Sequence, residues 1–167
     1  MPLRMVTADV LQSGAQYIAH QCNCRTRHAK GLAAAVFARH PRADTYAAGR
    51  PREVGTLDVF PPTAAGPGVI NCNAQDGPGR PRGSDSALRR LEWFRQCLRA
   101  ISRIEGIQSV AFPHLIGCGL AGGSWADYEQ ALAEFAASAP SVDVLVCKLP
   151  DAAAAAEAPA PKRRRMQ

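Results

Sequence analysis

The chain reads as an α/β protein built around a largely parallel sheet, and three observations carry that reading. Strand-like and helix-like segments alternate from the start to about Leu149. The segment YIAHQCN is dense in residues that suit a strand buried on both faces. Between the strands lie stretches with helical three-to-four spacing, bounded by proline, glycine or small polar residues. With 167 residues, 47% of them hydrophobic, the chain has enough apolar material for a substantial core, and one domain is expected over 1–150.

Taken in order, MVTADVL (5–11) and YIAHQCN (17–23) read as the first two strands. KGLAAAVFARH (30–40) reads as a helix: Leu32, Ala35 and Val36 share a face, Arg39 and His40 suit the negative end of the helix dipole, and Pro41 stops it. PRADTYAAG (41–49) reads as a shorter helix with proline at its start and glycine at its end. TLDVFPP (56–62) and GVINCNAQ (68–75) are the next strands, and QDGPGRPRGSD (75–85) is a loop by composition. Ser84 or Asp85 is expected to cap a long helix, SALRRLEWFRQCLRAISRI, whose Leu88, Leu91, Phe94 or Arg95, Leu98 and Ile101 keep helical spacing. SVAFPHL, the helix SWADYEQALAEFAA and the strand VDVLVCKL complete the alternation, six strands in all.

Composition narrows the function classes. No window of about 18 uninterrupted apolar residues occurs, and MPLRMVTADV lacks the regions of a secretory signal, so an intracellular, cytoplasmic protein with no membrane partner is expected. Of six cysteines only Cys22 and Cys24 lie close together; a lone C-x-C pair is poor zinc spacing, no metal is expected, and free thiols suit a reducing compartment. The formal charge is +6, and removing the KRRR cluster at Lys162–Arg165 leaves +2, so the folded body is not strongly basic. A nucleic-acid partner would therefore rest on the tail, where KRRR equally suits nuclear import. From residue 151 onward the alanine/proline composition predicts disorder, because little apolar surface is there to offset ordering entropy.

The most unusual stretch is IGCGLAGGSW (116–125), four glycines between an apolar run and an amphipathic one. A strand, a glycine-rich turn and a helix present backbone N–H groups to an anion, since glycine permits positive φ and close approach. Ser124 is expected to cap the following helix. A lysine-bearing phosphate loop is excluded, because no G-K-[ST] follows the glycines.

Three segments together resemble the macro domain, an ADP-ribose-binding α/β module. TADVL resembles the element whose aspartate holds the adenine amino group, which implies Asp9 and Val10. AHQCNCRTRHAKGLAAAVFARHP resembles the first ligand loop, which implies Asn23, Lys30, Gly31 and Leu32. FPHLIGCGLAGGSW resembles the second loop, whose amides embrace the diphosphate and distal ribose; here it runs through Gly117, Cys118, Gly119, Leu120, Ala121, Gly122 and Gly123, and the adjacent Trp125 either packs in the core or buttresses the loop at the ligand site. The resemblance implies a three-layer α/β/α sandwich with a mixed, mostly parallel six-stranded sheet. HQCNC, CNAQ, LEWFRQCL and IGCGLAGG are further similar to a subgroup related to phosphatases of ADP-ribose 1″-phosphate. One hydrolase branch uses a lysine and an aspartate where this chain has Asn71, Cys72, Asn73 and Ala121, so its covalent lysine chemistry is not implied.

Individual residues keep two readings. His20 is either a buried hydrogen-bonded strand residue or the catalytic group that positions water. Asn23 either closes an Asx turn or holds ribose hydroxyls. Arg25, Arg27, His28 and Lys30 are either a solvated loop or a phosphate-attracting cluster. The expected partner is ADP-ribose or a derivative, including ADP-ribosylated protein, bound by a monomer without a cofactor. Hydrolysis, pure ADP-ribose reading and nucleic-acid binding through the tail are the competing functions.

Overall fold

The computed structural model describes residues 2–151, and the expected disorder of the tail beyond them lies outside the described residues. Six strands and three α-helices follow in the order β1 (Arg4–Thr7), β2 (Tyr17–Asn23), α1 (Gly31–Arg39), β3 (Thr56–Phe60), β4 (Gly68–Gln75), α2 (Ala87–Ile101), β5 (Ser109–Pro113), α3 (Trp125–Ser138) and β6 (Asp143–Lys148). They form one sheet in the order β1-β6-β5-β2-β4-β3. Every neighbouring pair is parallel except β3 with β4, so the sheet is mixed and mostly parallel.

Alternation along the strands divides the core into two layers. Tyr17, Ala19, Ile70, Cys72, Val110, Phe112, Val144 and Val146 point to the face covered by α2 and α3, where they meet Phe94, Leu98, Ile101, Tyr128, Leu132 and Phe135. Ile18, Cys22, Val69, Ala111, Leu145 and Cys147 point to the opposite face, where α1 supplies Val36 and Phe37. The strands are apolar on both sides because helices cover both faces of a parallel sheet. The result is the three-layer sandwich with a mixed six-stranded sheet.

Several local expectations are corrected. The first strand ends at Thr7, because Asp9 turns the chain into a single 3-10 turn, Val10–Gln12, by accepting the Leu11 N–H at 2.9 Å. PRADTYAAG forms one 3-10 turn, Pro41–Ala43, followed by further turns; its Tyr46 is drawn inward against Phe37 and the end of β2. Ser86, rather than Ser84 or Asp85, caps α2. Leu88, read as apolar-face, is 77% exposed, whereas Arg90 on the same helix is 1% exposed. Ser124 occupies the N-cap position of α3 but makes no side-chain cap bond. All six cysteines are unpaired. Among the described residues no helix is long and apolar enough to cross a membrane, and no cluster of three or more His, Cys, Asp or Glu residues is arranged to hold a metal ion.

Candidate functional site

β2 lies between β5 and β4, and the chain leaves β2 toward one side of the sheet and later crosses to the other. The carboxyl ends of these three adjacent parallel strands therefore open a crevice, the usual place for a ligand in such sheets. A cavity of about 690 Å³ sits there. Its walls come from the loop after β2, the start of α1, the loop after β4 and the loop after β5. The β2–β4 register slips by one residue between Cys22 and Asn23, so the strand bends where it meets the cavity.

The wall after β2 is built from side chains. Asn23 Oδ1 accepts the N–H groups of Arg25 at 3.0 Å and Thr26 at 2.9 Å, which closes an Asx turn. Asn23 Nδ2 donates to the Thr26 hydroxyl at 3.0 Å and the Tyr46 hydroxyl at 3.3 Å. The Tyr46 hydroxyl also accepts the Asn23 backbone N–H at 2.8 Å. Arg52 stacks over the Tyr46 ring and donates to the carbonyls of Asn23, Thr45 and Thr26. Both ends of the Asn23 amide are thus engaged within the protein, and Asn23 lines the cavity as the keystone of the turn.

The wall after β5 is built from backbone. Gly117 has φ +73°, and a Cβ there would lie 2.3 Å from the Tyr128 ring. A Cβ at Gly123 would lie 2.5 Å from the Gly117 carbonyl. These two glycines are required by packing. Gly119 is different: its φ is not positive, and a Cβ there would meet nothing within 4 Å, yet it lines the cavity. Internal bonds tie the Cys118, Gly122 and Gly123 amides to the carbonyls of Leu115, Gly119 and Gly117. The amides of Gly117, Gly119, Leu120 and Ala121 have no acceptor among the described residues.

A second set of donors borders the same cavity. The first-turn amides of α1, at Gly31, Leu32 and Ala33, have no partner four residues earlier inside the helix, and Lys30 at the N-cap provides no side-chain bond. The positive end of the helix dipole thus opens on the cavity. Lys30 and Arg82 line the mouth, and neither is in an ion pair among the described residues. Arg25, by contrast, pairs with Asp76 at 2.7 Å.

His20 reaches the cavity from β2 but is 1% exposed, and its Nε2 and Asn71 Oδ1 are 2.6 Å apart. Asn71 Nδ2 donates to the Ala43 carbonyl, which leaves Oδ1 facing the ring as the acceptor, so Nε2 carries the proton. Burial pushes the His20 pKa down to about 4, and the Asn71 bond opposes this only in part. At neutral pH His20 is a neutral ring too weakly basic to serve as an efficient base. His28 and His114 also line the cavity, and their side chains have no hydrogen-bond partner among the described residues. His114 stacks edge-on against Trp125, with ring centroids 4.8 Å apart.

The structure brings His20, Asn23, Lys30, Gly31, Leu32, Gly117, Cys118, Gly119, Leu120 and Ala121 to one cavity. It leaves Asp9, Val10, Gly122, Gly123 and Trp125 outside the lining. Asp9 caps its turn and Val10 is packed in the core with Ile18 and Leu145, while Trp125 packs against the His114 ring. Sequence reasoning missed Tyr46, Arg52, Arg90 and His114. Only His114 carried a local signal, its place directly before the glycine loop.

No protein-family model matches the chain, and no curated protein matches it. Solved structures do. The macrodomain of Mycobacterium tuberculosis DarG is similar over 89% of this chain and 98% of its own, with 24% identity and a TM-score of 0.73. A protein of unknown function from Bacteroides thetaiotaomicron is similar over 89% and 99%, with 26% identity and a TM-score of 0.70. Thermosipho africanus DarTG, solved in complex with ADP-ribose, is similar over 89% of this chain and 42% of its own, with 20% identity and a TM-score of 0.69. The chain therefore has the macrodomain fold.

Proposed function

We propose that the cavity binds ADP-ribose or a derivative substituted on the distal ribose. The observation that carries this reading is the pair of amide sets, the first turn of α1 and Gly117, Gly119, Leu120 and Ala121, bordering one cavity with no protein acceptors for their N–H groups among the described residues. Uncharged donors of this kind suit a diphosphate, whose oxygens accept several hydrogen bonds at once. The volume of about 690 Å³ lies within the range of roughly 300–1,000 Å³ typical of small-molecule sites. The ADP-ribose complex of the structurally similar Thermosipho protein supports the ligand class. Calorimetry tests it: ADP-ribose binds more tightly than ADP or AMP, and absence of binding by all three overturns the reading. A thermal scan gives the same answer independently, since ligand at a hundred times its Kd adds about 2.7 kcal/mol of apparent stability.

The second reading is turnover at the distal ribose, by hydrolysis of ADP-ribose 1″-phosphate or of an ADP-ribosyl bond to protein. It is favoured by the side chains of His28, Lys30 and His114 at the same cavity, without hydrogen-bond partners among the described residues. In this reading His114, held by Trp125, replaces His20 as the group that positions water, and Lys30 offsets charge on the leaving phosphate. Incubation with ADP-ribose 1″-phosphate in chelator should release phosphate, with His114→Ala losing activity and His20→Gln keeping it. Binding by the parent without release leaves a pure ADP-ribose reader.

A further inference from the structure

We propose that the buried Arg90–Asp85 pair is a positioning device that locks the loop after β4 to the glycine loop, so that two walls of the cavity keep one spacing. Arg90 stands near the start of α2, where it is 1% exposed. A buried guanidinium is costly unless its charge is paired and its N–H groups are bonded. Here Nε and Nη2 fork onto the two Asp85 oxygens at 2.8 and 2.6 Å. The remaining donors reach past α2. Nη1 donates to the Gly79 carbonyl at 2.6 Å and to the Ala121 carbonyl at 3.2 Å. Nη2 also donates to the carbonyls of Gly77 at 3.2 Å and Arg80 at 3.4 Å.

Asp85 completes the lock from the other side. Its oxygens accept the N–H groups of Gly77 at 2.9 Å and Asp76 at 3.4 Å, so the pair grips the loop after β4 by both amides and carbonyls. Desolvation opposes the charge on Asp85, but Arg90 and these amides outweigh it and hold the carboxyl below its usual pKa. The bond to Ala121 extends the grip to the glycine loop. The two loops also touch directly, since a Cβ on Gly122, whose φ is +74°, would lie 2.9 Å from Pro81 Cδ. Pro78, Gly79 and Arg82 on one side and Gly117–Ala121 on the other all line the cavity, so this junction sets how far apart those walls stand. A lysine cannot replace the arginine here, because one ammonium cannot form the fork and also reach carbonyls on two loops.

The affinity part of the test rests on the ADP-ribose reading; the exchange part does not. Amide hydrogen exchange is measured on the full chain without ligand for the parent, Arg90→Lys and Asp85→Asn, followed by ADP-ribose calorimetry. In Arg90→Lys, which keeps a charge opposite Asp85, the bonded amides of Asp76, Gly77 and Arg82 and those of Cys118, Gly122 and Gly123 should exchange faster together, by about tenfold, while β4 and β5 keep their protection. The Kd for ADP-ribose should rise by a similar factor. Asp85→Asn should give a smaller change in the same direction and decides the matter if Arg90→Lys does not fold. Loosening of 76–83 alone, or unchanged affinity despite loosening of both loops, overturns the proposal. A parent that binds no ADP-ribose overturns the site reading instead, and the paired exchange response still decides the lock.

Discussion

The two sides of the cavity are held by opposite means. After β2 the chain is fixed by side chains, with Asn23, Thr26, Tyr46 and Arg52 forming a closed polar network. After β5 it is fixed by the absence of side chains, with Gly117 and Gly123 fitted against Tyr128 and Gly123 also against the Gly117 carbonyl. The difference decides what each wall offers a ligand. A side-chain network that satisfies itself has spent its donors and acceptors on shape. A glycine loop spends few of its own, and several amides stay available. Asn23, the more conspicuous polar residue, is tied into its own turn, while the chemically blank Gly119 lines the cavity with an amide that has no acceptor among the described residues.

This contrast can be broken at single positions. Gly117→Ala forces a Cβ into the Tyr128 ring at positive φ and should cost about 3 kcal/mol, the sum of left-handed strain and overpacking. Chemical denaturation measures that loss directly.

On the opposite wall, acid should act through His20. Its folded pKa of about 4 lies below the ordinary value of 6.5, so the unfolded chain binds the proton first as pH falls between these values. Stability contributed by the neutral buried ring is complete above pH 6.5 and is lost on the way down to pH 4, by on the order of 3 kcal/mol. His20→Gln, which keeps a donor for Asn71, should flatten that part of the stability–pH curve. An identical slope in the variant would assign the acid sensitivity to other groups.

Gly119→Ala is the smallest change in stability and the sharpest test of the contrast. The added methyl enters open space at the cavity, so the unfolding free energy should change by less than about 0.5 kcal/mol. ADP-ribose affinity should nonetheless fall by about tenfold, equivalent to roughly 1.4 kcal/mol, because the ligand can no longer approach the amides closely. Equal affinities would mean that the ligand does not lie on this loop.

The sequence was most legible where one local pattern sufficed. β2 and β4 have the boundaries that YIAHQCN and GVINCNAQ suggest, since helices on both faces demand continuous apolar runs. The glycine loop was legible as an anion cradle, although spacing alone could not separate the glycines needed for packing from the one left open. Arg90 was illegible. Its burial depends on carbonyls of Gly77, Gly79, Arg80 and Ala121, which only the folded chain brings together, and a helical pattern reads such an arginine as solvent-facing. PRADTYAAG misled for a related reason: its composition suits a helix, but Tyr46 is needed at the Asn23 amide and the chain bends to deliver it. Asp9 is held by its own turn, where it accepts the Leu11 N–H.

The most direct measurement is the backbone amide spectrum of the protein titrated with ADP-ribose. The account predicts the largest shifts at Gly31, Leu32 and Ala33 together with Gly117, Gly119, Leu120 and Ala121, saturating at one ligand per chain. Saturable shifts confined to other surfaces, or a spectrum that ADP-ribose leaves unchanged, would contradict it.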